Sequence, residues 1–206
     1  MMEEDSIPES GPIEGYEHRN YSDFIVDRVD NFQDKFGARH LYLAMHAAFP
    51  VSLPPELLYL IRENFQYDSK GNFLDIPFES VPDLLLSEMC QEVGHEVYQM
   101  EPELRQYLLK RLRESSRFGE ERLKILGDFI AQYYGPDLSG GDLDSRNVAE
   151  SQLWASNLQT DSSQGVSQLS ELLEFAQDEG DNNLQYRLNN LLNQYEVPEE
   201  ESELLE

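Results

Sequence analysis

The chain has 206 residues, enough for one domain of about 100–150 residues with smaller flanking parts. Apolar residues make up 39%, and 41 Asp and Glu stand against 15 Lys and Arg, for a formal net charge of −26. A field of that sign opposes nucleic acid and anionic lipid, which bind through cations meeting phosphate, and favours basic partners or plain solubility.

Residues 1–34 open the chain as an acidic arm, expected to be largely disordered where Glu, Asp, Ser, Pro and Gly leave little to bury. Within it, Phe24, Ile25, Val29 and Phe32 recur at helical offsets, so 21–34 reads either as a short amphipathic helix or as an extended segment lying on the core. A first core helix is expected over 35–49 with Leu41, Met45, Ala48 and Phe49 on one stripe, ended by Pro50. Ser52 is the expected cap of a second, in which Pro54 and Pro55 occupy first-turn positions that need no donor, and Leu57, Leu58, Ile61 and Phe65 face inward. The run Ser69-Lys70-Gly71-Asn72 marks a turn, with Phe73 and Ile76 as candidate anchors.

Ser80 is the expected cap of a third helix reaching Cys90–Glu92, with Leu84, Leu85, Leu86 and Met89 as its apolar face. The period changes over Val93–Met100: Val93, Val97 and Tyr98 are strand formers and Gly94-His95 can turn the chain, giving a small hairpin. Pro102 opens a fourth helix over 102–115, and 119–134 a fifth, carrying Leu123, Leu126, Phe129, Ile130 and Tyr133. Residues 137–143 read as a flexible joint around Gly140-Gly141. Three helical stretches follow, 144–158, 165–178 and 182–195, as a small helical region over 144–196, and 197–206 is an acidic tail. The expected fold is therefore mainly α: a winged-helix-like core over 35–136, made of helices plus a small β-hairpin with an extra C-terminal helix, followed by a C-terminal helical region.

The stretches ARHLYLAMHAAFPVSLPPELLYLIRENF, VPDLLLSEMCQEVGHEVYQMEPELRQYLLKRL and RFGEERLKILGDFIAQYY resemble a winged-helix-like module of cyanobacterial multidomain signalling and conflict proteins. There the module accompanies NACHT-type or other P-loop ATPases, caspase-like effectors and repeat domains. SQLWASNLQTDSSQGVSQLSELLEF is similar to the helical region that follows it, so the resemblance covers roughly 38–175. It implies an adaptor between sensing and effector parts. This chain has neither the ATPase nor the effector, so what the resemblance leaves is binding in trans, to a signalling ATPase, a protease-like effector or a nucleoprotein complex.

No catalytic or cofactor motif stands out. From Ser80 to Met100 there is no Lys or Arg, while Glu79, Asp83, Glu88, Glu92 and Glu96 are all acidic, which argues against direct DNA binding through this part. Lys110, Arg111, Arg113, Arg117, Arg122 and Lys124 form a basic cluster, read first as helix pairs with Glu114, Glu120 and Glu121. Cys90 and His95 invite a nucleophile–base reading, but an orienting group and an oxyanion site are missing from the pattern. His18, His40, His46 and His95 have no metal-binding spacing, there is no CxxC, and no glycine-rich phosphate loop occurs. One cysteine and an acidic, non-apolar start point to a reducing cytoplasm, and no run approaches the ~18–20 apolar residues of a membrane helix.

The expected function is that of a non-enzymatic, cofactor-free protein-binding adaptor. Its candidate partner-binding residues are Asp83, Glu88, Glu92, His95, Glu96 and Tyr98 on the acidic hairpin side, with Tyr133, Tyr134 and Trp154 on the helices around the joint. The alternative is an acidic DNA mimic that occupies the basic groove of a nucleic-acid enzyme.

Overall fold

The computed structural model describes residues 21–140 and 143–192, the side chains of Tyr21, Leu143, Asp144 and 162–164 excepted. The arm before residue 21, the middle of the expected joint (141–142) and everything after 192 lie outside the described residues. The described chain is mainly helical with one small antiparallel sheet.

Helix α1 (Tyr21–Phe36) settles the open reading of 21–34. Ile25, Val29 and Phe32, at i, i+4 and i+7, are all buried in the main core, so residues 21–34 of the expected arm belong to the fold. Gly37, at φ 91°, separates α1 from α2 (Ala38–Ala47), which is why the expected 35–49 helix starts later. Buried Arg105 closes the far end of α2: its Nε donates to the Ala48 carbonyl at 3.1 Å and its Nη2 to that of Phe49 at 3.2 Å. Carbonyls freed at a helix end are thus met by a cation of favourable sign.

Helix α3 (Pro55–Asn64) begins at the prolines, without a side-chain cap, and Ser52 is committed elsewhere. In the following loop Asp68 Oδ1 accepts the backbone N–H groups of Lys70 and Asn72, both at 2.9 Å, and Gly71 takes φ 78°. The Gln66 amide clamps Ile76, donating to its carbonyl at 3.1 Å and accepting its N–H at 3.0 Å. Leu74 and Ile76 anchor this loop; Phe73, the other expected anchor, is exposed.

Helix α4 spans only Ser80–Leu85. Ser80 is its first residue rather than its cap, buried, with its hydroxyl donating to the Pro77 carbonyl. The early end turns Leu86 outward, 80% exposed, against the expected apolar face. The hairpin is β1 (Gln91–Gly94) and β2 (Val97–Gln99), joined by a two-residue turn, His95-Glu96, with Glu96 at φ 57°. Gln91 pairs with Gln99 and Glu92 with Tyr98, and an irregularity at Val93 leaves that valine exposed. On its other side β2 meets the chain before α3: Leu53 N–H donates to the Tyr98 carbonyl at 2.8 Å and Tyr98 N–H returns to Leu53 at 3.3 Å.

Helix α5 (Pro102–Glu114) starts at its proline as expected. Helix α6 runs Gly119–Gly140, with Pro136 inside it, so the expected joint from 137 is helical as far as 140. The apolar stripe explains the continuation, because Ile130, Tyr134 and Leu138 follow one another at i, i+4 and i+8 against the core. Proline forfeits a single helical hydrogen bond, and Gly135, lacking a Cβ, eases the helical conformation just before it.

Helices α7 (Leu143–Thr160), α8 (Ser162–Asp178) and α9 (Asn182–Leu192) stack a second, smaller core from Ala155, Leu158, Val166, Leu169, Leu188 and Leu191. Helix α7 packs along α6, and Ala149 of α7 reaches the main core. The C-terminal helices are therefore docked on the first part of the chain. Among the described residues no helix is long and apolar enough to cross a membrane.

Candidate functional site

Docking of α7 against the chain before α3 is fastened by one buried side chain. Gln152 is 2% exposed; its Oε1 accepts the Val51 N–H at 2.8 Å and its Nε2 donates to the Ser52 hydroxyl. Ser52 also hydrogen-bonds Tyr134 of α6. This junction is the floor of an open cleft of about 720 Å³. Val97 and Gln99 of β2 form one wall, Tyr133, Tyr134 and Asp137 of α6 another, and Asn147, Val148, Arg187 and Leu191 of α7 and α9 the third. Apolar surface predominates in it, though nine of the sixteen lining residues are polar or charged, and such a mix of apolar wall and convergent polar groups suits recognition.

Its electrostatics follow from burial and two carboxylates. Burial holds the Tyr134 phenol well above its ordinary range. The Tyr133 phenol is raised as well, by burial first and then by the negative charges of Glu56 and Asp137. Arg187, the cation in the lining, is occupied: Nη1 donates to Asn147 Oδ1 and Nη2 to the Asn147 carbonyl, each at 2.7 Å. Glu150 Oε2 lies 3.3 Å from it, and the guanidinium stacks 5.3 Å from the Trp154 ring centroid.

The expected partner-binding residues do not form one patch. Tyr133 and Tyr134 line the cleft, and Trp154 stands behind it against Arg187. Glu92, His95 and Glu96 are exposed on the hairpin. Tyr98 is half-buried, between β1 and Leu53 in the sheet. Asp83 turns inward to His40, Nε2 to Oδ2 at 3.1 Å, joining α4 to α2. Glu88 is exposed at the hairpin base, and its carbonyl accepts from Arg28, whose Nη1 also donates to Glu101. Sequence reasoning missed Ser52, Gln99, Asn147, Gln152, Arg187 and Asn190, since nothing in a lone Gln or Asn tells which distant backbone it will meet.

The basic cluster is mostly spent inside the molecule. Arg113 pairs with Glu120 at 3.1 Å, Arg117 with buried Asp68 at 3.2 Å, and Arg111 lies 3.8 Å from Asp30. Arg122 donates to the Tyr67 carbonyl and stacks between Phe65 and Phe118. Cys90 is a poor nucleophile: burial pushes its thiol up to about 12, against the opposing pull of Arg28, while His95 sits exposed at the hairpin turn. Among the described residues no group of three or more His, Cys, Asp or Glu is placed to hold a metal ion. Comparisons with family models, with curated proteins and with solved structures give no match in any of the three.

Proposed function

We propose that this chain is a non-enzymatic, protein-binding adaptor with a winged-helix-like core, and that it engages its partner through the cleft between β2 and the C-terminal helices. The observation that carries the reading is the cleft itself: an open hollow whose walls set apolar surface and two tyrosines beside four amides, three serines and one charge of each sign. The winged-helix reading is supported by element order, since α2, the Leu53 bridge, α3, α4, β1 and β2 follow one another as helix, short strand, two helices and a hairpin whose second strand pairs back to Leu53. Recognition of DNA by such a core would ask for cations on α4 and the hairpin, which have none, and the arginines of α5 and α6 are mostly engaged. The setting, a bacterial signalling or conflict system in which the chain acts in trans, rests on the resemblance of its central stretches.

A photoreactive amino acid at Val148, which lines the cleft and is 46% exposed, tests the reading in the native host. The expected result is one defined protein adduct, absent when the same probe replaces exposed Asn31 on α1. Equal labelling from both positions, or none from Val148, would overturn it.

A further inference from the structure

The α6 end of the cleft has a composition that selects among partners. Tyr133 and Tyr134 are neighbours in sequence with rings nearly perpendicular, 89° apart and 4.8 Å between centroids. Tyr134 is only 5% exposed and braces the half-buried Tyr133 ring, which is the aromatic surface the cleft can offer a cation. Asp137, four residues beyond Tyr133 and on the same side of α6, lines the cleft. Among the described residues it has no Lys or Arg within ion-pair distance, whereas Asp68, Asp75, Glu101, Glu120 and Glu150 do. Arg187, on another wall, is engaged by Asn147, Glu150 and Trp154. This end of the cleft is aromatic and negative with no cation of its own, next to an apolar stretch formed by Val51, Pro54 and Val97.

We propose that the cleft receives a lysine or arginine side chain from an otherwise apolar segment of the partner, its charged head beside the Tyr133 ring and the Asp137 carboxylate. The assignment rests on the protein-binding reading and supplies the chemistry of the segment bound. The methylene stem lies on apolar wall, as long cationic side chains do, and the head meets the Asp137 carboxylate, which has no ion-pair partner among the described residues.

The test uses the whole chain, labelled for NMR at its tyrosine rings, and two acetylated, amidated peptides. One is Gly-Leu-Lys-Leu-Gly; the other carries norleucine, the uncharged isostere, in place of lysine. The lysine peptide should shift the Tyr133 and Tyr134 resonances and bind roughly tenfold more tightly than the norleucine peptide at low salt. Asp137→Asn and Tyr133→Leu should each weaken the lysine peptide about threefold or more while leaving the norleucine peptide unchanged. Equal binding of the two peptides, equal loss of both in Asp137→Asn, or no shift at either tyrosine would overturn the cation site. Equal binding within the cleft leaves the adaptor reading standing. Lysine-selective binding with no adduct from Val148 would sink the adaptor and leave the site.

Discussion

His46 is fully buried in the last turn of α2, edge-on to the Phe118 ring at 4.9 Å and beside Phe65. Its Nδ1 lies 2.6 Å from the Tyr42 carbonyl and so carries the proton, leaving Nε2 buried without a partner. Desolvation is the main reason its pKa falls from 6.5 to about 3; the Tyr42 carbonyl opposes the fall and Arg122 adds to it. The unfolded chain therefore binds a proton that the folded chain refuses between about pH 6.5 and 3. Stability on this account is complete above pH 6.5 and declines as pH drops through that window, by on the order of 4 kcal/mol at its lower end. In urea titrations across this range, His46→Leu should lose stability at neutral pH yet show a flatter acid limb, shallower by about 1.4 kcal/mol per pH unit; an unchanged slope would contradict the account. Asp68 acts in a lower window: hydrogen bonds from Asn72 and Lys70, with Arg117 nearby, hold its carboxyl below 3.8. Its contribution is present above 3.8 and fades as pH falls through the folded value. Nothing in the sequence singles out Asp68, just ahead of the Ser69–Asn72 turn, and His46 is one histidine among four, because burial of a polar group depends on what packs over it.

At the scale of elements, prolines and periodic leucines were good guides. Pro55 and Pro102 open helices where the pattern placed them, and of the α6 stripe Leu123, Leu126 and Ile130 are buried, with Phe129 and Tyr133 half-buried. Serines misled: Ser52 and Ser80 look like caps, but each hydroxyl is engaged away from a helix start, by Gln152 and Pro77. Helix α1 was ambiguous since its polar face is dense in aspartate, and the decision for helix comes from the core that receives Ile25, Val29 and Phe32. Close helix approach was not legible either. A Cβ on Gly165 would stand 2.8 Å from the Leu158 backbone nitrogen and 2.9 Å from its Cα, so α8 meets α7 where only glycine fits. Gly165→Ala should lower thermal stability by about 1–3 kcal/mol and loosen the second core, while Ser167→Ala on the exposed side of α8 should stay within about 0.5 kcal/mol. Comparable melting of the two variants would show that α8 can shift without cost.

For the whole molecule the question is how two cores are kept together. The main core gathers α1 to α6, the second gathers α7 to α9, and α6 with the Gln152 junction spans them. Gln152→Leu keeps the volume but strips the Val51 N–H and the Ser52 hydroxyl of partners, at an expected cost of about 1–3 kcal/mol. The loss should appear as faster amide exchange in α7 and altered Trp154 fluorescence, with α2 and α5 still protected; uniform loosening of all helices would mean the two cores open as one. The two tyrosines of the cleft could be picked out of the sequence as aromatics near a helix end. Its opposite wall could not, since that wall exists only once α7 lies across residues 51–54.

The Val51 amide and its acceptor are separated by 101 positions. A ribosome makes Val51 and Ser52 well before α7 exists, so in the nascent chain both wait for Gln152. The hollow is complete only once α9, which carries Arg187 and Leu191, has followed. A partner that grips all three walls is recognised only after that helix has been made.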